Sequence, residues 1–159
     1  MRMTDTVRKS RRLRRAVIWS DKVLTKLAYI VYPVFAVMLF IKKDPDAVRA
    51  VIVPAVSFIL LSVFRWVLNA PRPYEIFGAD PVIKKDTKGK SFPSRHVFSM
   101  FVIAVTVLYF CPVPGIILVA AGVLMAAARV AGGVHFPADV IAGAVAGAGC
   151  GFIGFWLIP

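Results

Sequence analysis

Residues 51–73 read VIVPAVSFILLSVFRWVLNAPRP, and from Val51 to Leu68 the only charged side chain is Arg65, near the end of the run. A helix needs roughly 20 predominantly apolar residues to cross a bilayer, with about 17 as the lower end. The run at about 50–68 therefore reads as a membrane span. Similar runs lie on either side of it, at about 23–41, 97–111, 115–131 and 138–158. The predicted fold is all-α: a polytopic helix bundle of about five transmembrane helices. Cys111-Pro-Val-Pro-Gly115 reads as a tight link that lays the third and fourth spans side by side, because both prolines lack a donor and disfavour helix.

Composition agrees. Of the 159 residues, 59% are hydrophobic, against roughly 45–50% in an ordinary soluble domain, and mean hydropathy is +0.78. A soluble domain of this length has too little interior to hide that surface. Lys and Arg outnumber Asp and Glu by 20 to 8. The partners are therefore anionic, and since long apolar runs interrupt the charges, lipid phosphates fit and nucleic acid does not. Cys111 and Cys150 form no close-spaced pair, which argues against a disulfide or zinc framework. Residues 1–21 make a basic N-terminal segment and 22–159 a single transmembrane domain. The apolar stretch ending at Trp19 is too short for a signal peptide, so the segment reads as an amphipathic interfacial helix, with a disordered basic tail as the alternative.

The informative residues are the polar ones at the span ends, because ionisable groups there are costly and mark function. They form three clusters: Arg65 with Arg72-Pro73, then Pro93-Ser94-Arg95-His96, then Arg129 with His135 and Asp139. Span parity brings all three to one side of the membrane. The guanidinium forks of Arg65, Arg72 and Arg129 suit phosphate oxygens. Ser94, as N-cap of the third span, leaves that helix's first N–H groups facing an anion. His135 and Asp139 stand four apart, so the carboxylate can hold one ring nitrogen and leave the other as nucleophile. His96 is then free to protonate a leaving oxygen.

These clusters resemble the three motifs of the type 2 phosphatidic acid phosphatase family of integral-membrane lipid phosphatases. Arg65 stands where that family has lysine, Arg95 where it has glycine, and Ala128 where it has serine. The resemblance implies that His135, oriented by Asp139, attacks phosphorus to give a phosphohistidine, while His96 protonates the departing alcohol. Arg65, Arg72, Ser94 and Arg129 would bind the phosphoryl oxygens, and Arg95 would turn away or reach a second phosphate. A sixth span, common in the family, has no counterpart at the N-terminus.

The resulting expectation is hydrolysis of a lipid phosphomonoester or diphosphate: a polyprenyl diphosphate, phosphatidic acid or phosphatidylglycerol phosphate. The rival is a lipid-phosphate binding or transport protein without turnover. No cofactor is expected, and no metal, since neither a His/Cys nor a carboxylate cluster is present and fixed arginines can stabilise the transition state. Lys84, Lys85, Lys88 and Lys90 read as contacts to anionic lipid rather than as catalytic groups. Gly143, Gly147 and Gly151 allow close helix packing, within the bundle or, alternatively, across a homodimer seam. The location is an integral one in a bacterial cell membrane. Seventeen of the 20 basic residues share the side of the site, which the positive-inside rule makes cytoplasmic.

Overall fold

The computed structural model describes residues 2–85 and 87–157. Seven α-helices account for most of them: α1 (Arg2–Lys9), α2 (Arg11–Ile41), α3 (Ala47–Leu68), α4 (Pro73–Phe77), α5 (Arg95–Phe110), α6 (Pro112–Ala131) and α7 (Pro137–Phe152), the last running into a π turn over Ile153–Leu157. The described residues contain no strand, and α2, α3, α6 and α7 are long and apolar enough to cross a membrane.

Ser10 separates α1 from α2. It takes an extended conformation and its hydroxyl accepts from the Leu13 N–H at 3.4 Å, an N-cap that restarts the helix. α2 then runs unbroken through residue 21. α1 lies over the end of the bundle that carries the three clusters: Val7 is buried with Val82 and Ala131, and Arg8 donates to the Asp80 carbonyl.

α5 is the axis of the bundle. Val97, Phe98, Met100, Val102 and Val107 are buried between α6, α7 and α3. At 16 residues it spans only about 24 Å, short of the roughly 30 Å hydrocarbon core. Neighbouring helices shield it from lipid, so it need not match the bilayer thickness. The exposed apolar side chains lie instead on the outer helices, among them Ile30, Val34 and Val37 of α2 and Ile59, Leu60 and Val67 of α3.

One expectation changes. The link between α5 and α6 is the single extended residue Cys111; Pro112 and Pro114 belong to α6. Prolines in the first turn of a helix forfeit only N–H groups that have no intrahelical acceptor, which is why they start this helix rather than interrupt it. The α5–α6 pairing itself is as expected. The glycine stripe of α7 faces α5: a Cβ on Gly143 would stand 2.7 Å from the Ser94 carbonyl oxygen, one on Gly147 would strike that of Phe98, and one on Gly151 would meet Val105. The stripe thus serves close packing within the bundle, as the first of the two readings expects.

Candidate active site

His135 lies in the connection between α6 and α7, and Asp139 in the first turn of α7. Pro137 opens that helix, and the Asp139 carboxylate accepts the Phe136 N–H at 2.9 Å, so the helix start itself fixes the acid. The same oxygen, Oδ2, stands 3.2 Å from His135 Nδ1 and accepts the Ser91 hydroxyl at 2.5 Å. An ionised carboxylate only accepts, so Nδ1 carries the proton and Nε2 keeps its lone pair. All three side chains are buried. Burial holds the His135 imidazole down to about 4, against the hydrogen bond it donates to Asp139, and the Arg72 charge adds to the lowering. At neutral pH the ring is uncharged.

Ser91 joins this buried cluster, although the motif pattern does not reveal it. The arginines place it. Arg65 donates to the Ser91 carbonyl at 3.0 Å and to that of Lys90. Arg72 reaches the carbonyls of Gly89 (2.9 Å), Lys90 (3.4 Å) and Val134 (3.2 Å). Glu75 completes the clamp by accepting from the N–H groups of both Arg72 and Gly89 at 2.8 Å. These guanidinium groups thus order segment 89–91 and tie it to the histidine loop. Neutral carbonyls do not cancel a charge, so both arginines remain a positive field around His135.

Ser94 is the N-cap residue of α5 by position, yet its side chain makes no capping bond; its N–H donates to the Asp139 carbonyl at 2.8 Å. Its hydroxyl is fully buried without a hydrogen-bond partner. Such a group is costly unless something that enters the site satisfies it. Arg129, also buried, stands beside Asp21 of α2.

The clusters therefore converge, but not on one cavity. His135 lines a pocket of about 250 Å³ with Tyr74, Phe77 and Phe136, and Thr4 and Arg8 of α1 line it too. His96 lines a second, apolar cavity of about 400 Å³ between α2, α3 and α5, with Tyr29, Tyr32 and Phe58. The two histidines lie within electrostatic reach of each other. Arg95 is exposed and lines the second cavity as well, with its guanidinium 5.5 Å from the centre of the Phe58 ring. Lys85 is half-buried. Burial, and after it the charges of Arg129, Arg72, Arg95 and Arg65, lower its ammonium to about 8. Among the described residues no group of His, Cys, Asp and Glu is arranged to hold a metal ion.

Residues 46–159 match the PAP2 superfamily. The chain belongs to that family. The matched stretch holds every residue of the three PAP2 clusters but neither α1 nor Asp21. A curated undecaprenyl-diphosphatase from Sulfolobus acidocaldarius is 31% identical over 130 residues, which are 79% of this chain and 62% of that protein, so the chain spans less than two thirds of its length. LpxE of Aquifex aeolicus superposes with a TM-score of 0.69 at 25% identity, over 90% of this chain and 92% of that one. A transmembrane PAP2 type phosphatidylglycerolphosphate phosphatase from Bacillus subtilis shares the fold with a TM-score of 0.64 at 21% identity, over 96% and 88%. The PAP2 helical bundle is thus the architecture of this chain, and its apolar helices make it an integral membrane protein.

Proposed function

We propose that this chain is a membrane-embedded lipid phosphatase acting through a phosphohistidine, without metal. The observation that carries the reading is the buried Ser91–Asp139–His135 chain beneath a field of arginines. A binding or transport protein needs the anion pocket but has no use for a polarised imidazole with a free Nε2.

In this reading the phosphate enters between Arg65, Arg72, Arg129 and the N-terminus of α5, where the Ser94 hydroxyl gains a partner. His135 Nε2 attacks phosphorus as the bond to the lipid oxygen breaks. The developing charge is stabilised by fixed cations and backbone N–H groups rather than by a divalent ion. His96 gives the leaving oxygen its proton, and water then hydrolyses the phosphohistidine to release inorganic phosphate. The apolar cavity beside His96 takes the lipid tail, so the acid sits where the leaving group departs. Lipid monoesters and diphosphates both fit this chemistry. The Sulfolobus relative's name supports a polyprenyl diphosphate, whose second phosphate lies towards Arg95.

The test is phosphate release from a panel of these lipids in detergent, with and without chelator. Turnover should survive chelation, fall to vanadate and vanish in His135→Ala. His96→Ala should retain activity on an activated aryl phosphate, whose leaving group needs no proton. Phosphate release that requires added Mg²⁺, or that persists in His135→Ala, refutes the mechanism; binding without release supports the transport reading instead.

A further inference from the structure

Asp21 is an acid on the apolar helix α2, outside the stretch that matches the family. It is 8% exposed, and Arg129 is 3% exposed. Asp21 Oδ1 stands 2.7 Å from Arg129 Nε, yet off the N–H direction, so the contact is an ion pair without a directed hydrogen bond. Among the described residues the Arg129 guanidinium makes no hydrogen bond, which leaves Nη1 and Nη2 without protein partners. Arg65 and Arg72, by contrast, are anchored by backbone carbonyls. Arg129 is thus the arginine of the site whose only polar anchor is a side chain on another helix.

A guanidinium is a rigid planar fork, and its orientation decides whether two N–H groups or one meet a phosphate. An arginine whose ion-pair partner stands at Nε keeps both terminal nitrogens available to a ligand. We propose that Asp21 is a positioning residue for phosphoryl transfer: its charge anchors Arg129 at Nε and leaves Nη1 and Nη2 for the phosphoryl oxygens, which makes α2 part of the active site. The proposal rests on the reading above, in which Arg129 binds the phosphoryl group. It also accounts for a carboxylate close to an anion site, where its charge alone would oppose the substrate: the carboxylate is paired with Arg129 through Nε and not through Nη1 or Nη2.

The experiment compares kcat and KM of Asp21→Asn, Asp21→Glu and His135→Ala in detergent micelles, per mole of folded protein from gel filtration and thermal unfolding. Asp21→Asn keeps the shape and removes the charge; it should lower kcat by about tenfold to a hundredfold with KM changed less than about threefold, the signature of lost orientation in the transition state. Asp21→Glu restores a carboxylate and should recover most of that loss. An Asp21→Asn enzyme within about twofold of the parent kcat overturns the proposal, as does Asp21→Glu no better than Asp21→Asn. Should Asp21→Asn not be recovered folded, the double variant Asp21→Asn/Arg129→Gln removes both buried charges and is compared with Arg129→Gln. Equal kcat supports positioning through Arg129, and a further loss of about tenfold overturns it. Turnover that survives in His135→Ala would sink the enzymatic reading itself, a result distinct from normal Asp21 variants beside an inactive His135→Ala.

Discussion

Replacing Ser91 with alanine isolates one link of the buried chain. The serine hydroxyl donates to Asp139 Oδ2 at 2.5 Å and stands 3.4 Å from His135 Nδ1, with no exposed surface. A hydrogen bond to a charged group contributes about 1.5–3 kcal/mol. Asp139 keeps two donors, the Phe136 N–H at 2.9 Å and His135 at 3.2 Å, so the carboxylate stays in place but loses the contact that fixes it from the loop side. In the proposed mechanism the His135 ring gains positive charge as it attacks phosphorus, and the value of a correctly aimed carboxylate rises with it. At about 1.4 kcal/mol per factor of ten, Ser91→Ala should lower kcat by about 10-fold to 100-fold. The assay is the initial rate of phosphate release in detergent with the thermal midpoint measured alongside, and Ser91→Thr, which keeps the hydroxyl, should recover most of the rate. A Ser91→Ala enzyme with the parent's kcat and midpoint would refute the assignment of Ser91 to the catalytic chain.

Gly143→Ala places a methyl 2.7 Å from the Ser94 carbonyl oxygen, which as backbone cannot swing aside; overpacking of about 1–3 kcal/mol should lower the detergent thermal midpoint, and an unchanged midpoint contradicts the packing described. His135 is neutral above about pH 4, so the proton it gains in acid should appear in an NMR titration of a His96→Gln variant with a midpoint near 4; a midpoint at the ordinary histidine value of about 6.5 would contradict its burial. Lys85 is cationic below about pH 8 and loses its charge above it, so KM for an anionic lipid should rise between about pH 7 and 9 and Lys85→Arg should flatten that rise. If the site faces the cytoplasm, Lys88→Cys, made after Cys111 and Cys150 are replaced, should resist a membrane-impermeant thiol reagent in intact cells; ready labelling places the loop outside.

Legibility in the sequence followed the bilayer. A chain in hydrocarbon must satisfy its backbone within helices, so the apolar runs by themselves determined an all-α bundle and nearly all of its spans. Charge is costly at depth, which made Arg65, Arg72, Arg129, His135 and Asp139 stand out, and span parity determined that they share one end. Tertiary structure alone decided how those residues are used. Ser91 is one serine in a polar loop, 48 residues from Asp139, and nothing in its surroundings in the sequence marks it. Asp21 could face solvent, lipid headgroups or a partner until α6 brings Arg129 to within 2.7 Å. Arg65 and Arg72 read as phosphate forks, while folding sets both on the carbonyls of segment 89–91. The glycines of α7 announce a close approach without naming the helix that makes it; the fold names α5. Periodicity and hydropathy act over whole elements and so survive in one dimension, whereas a hydrogen bond or ion pair is decided within about 3 Å by whichever group the packing of distant elements delivers there.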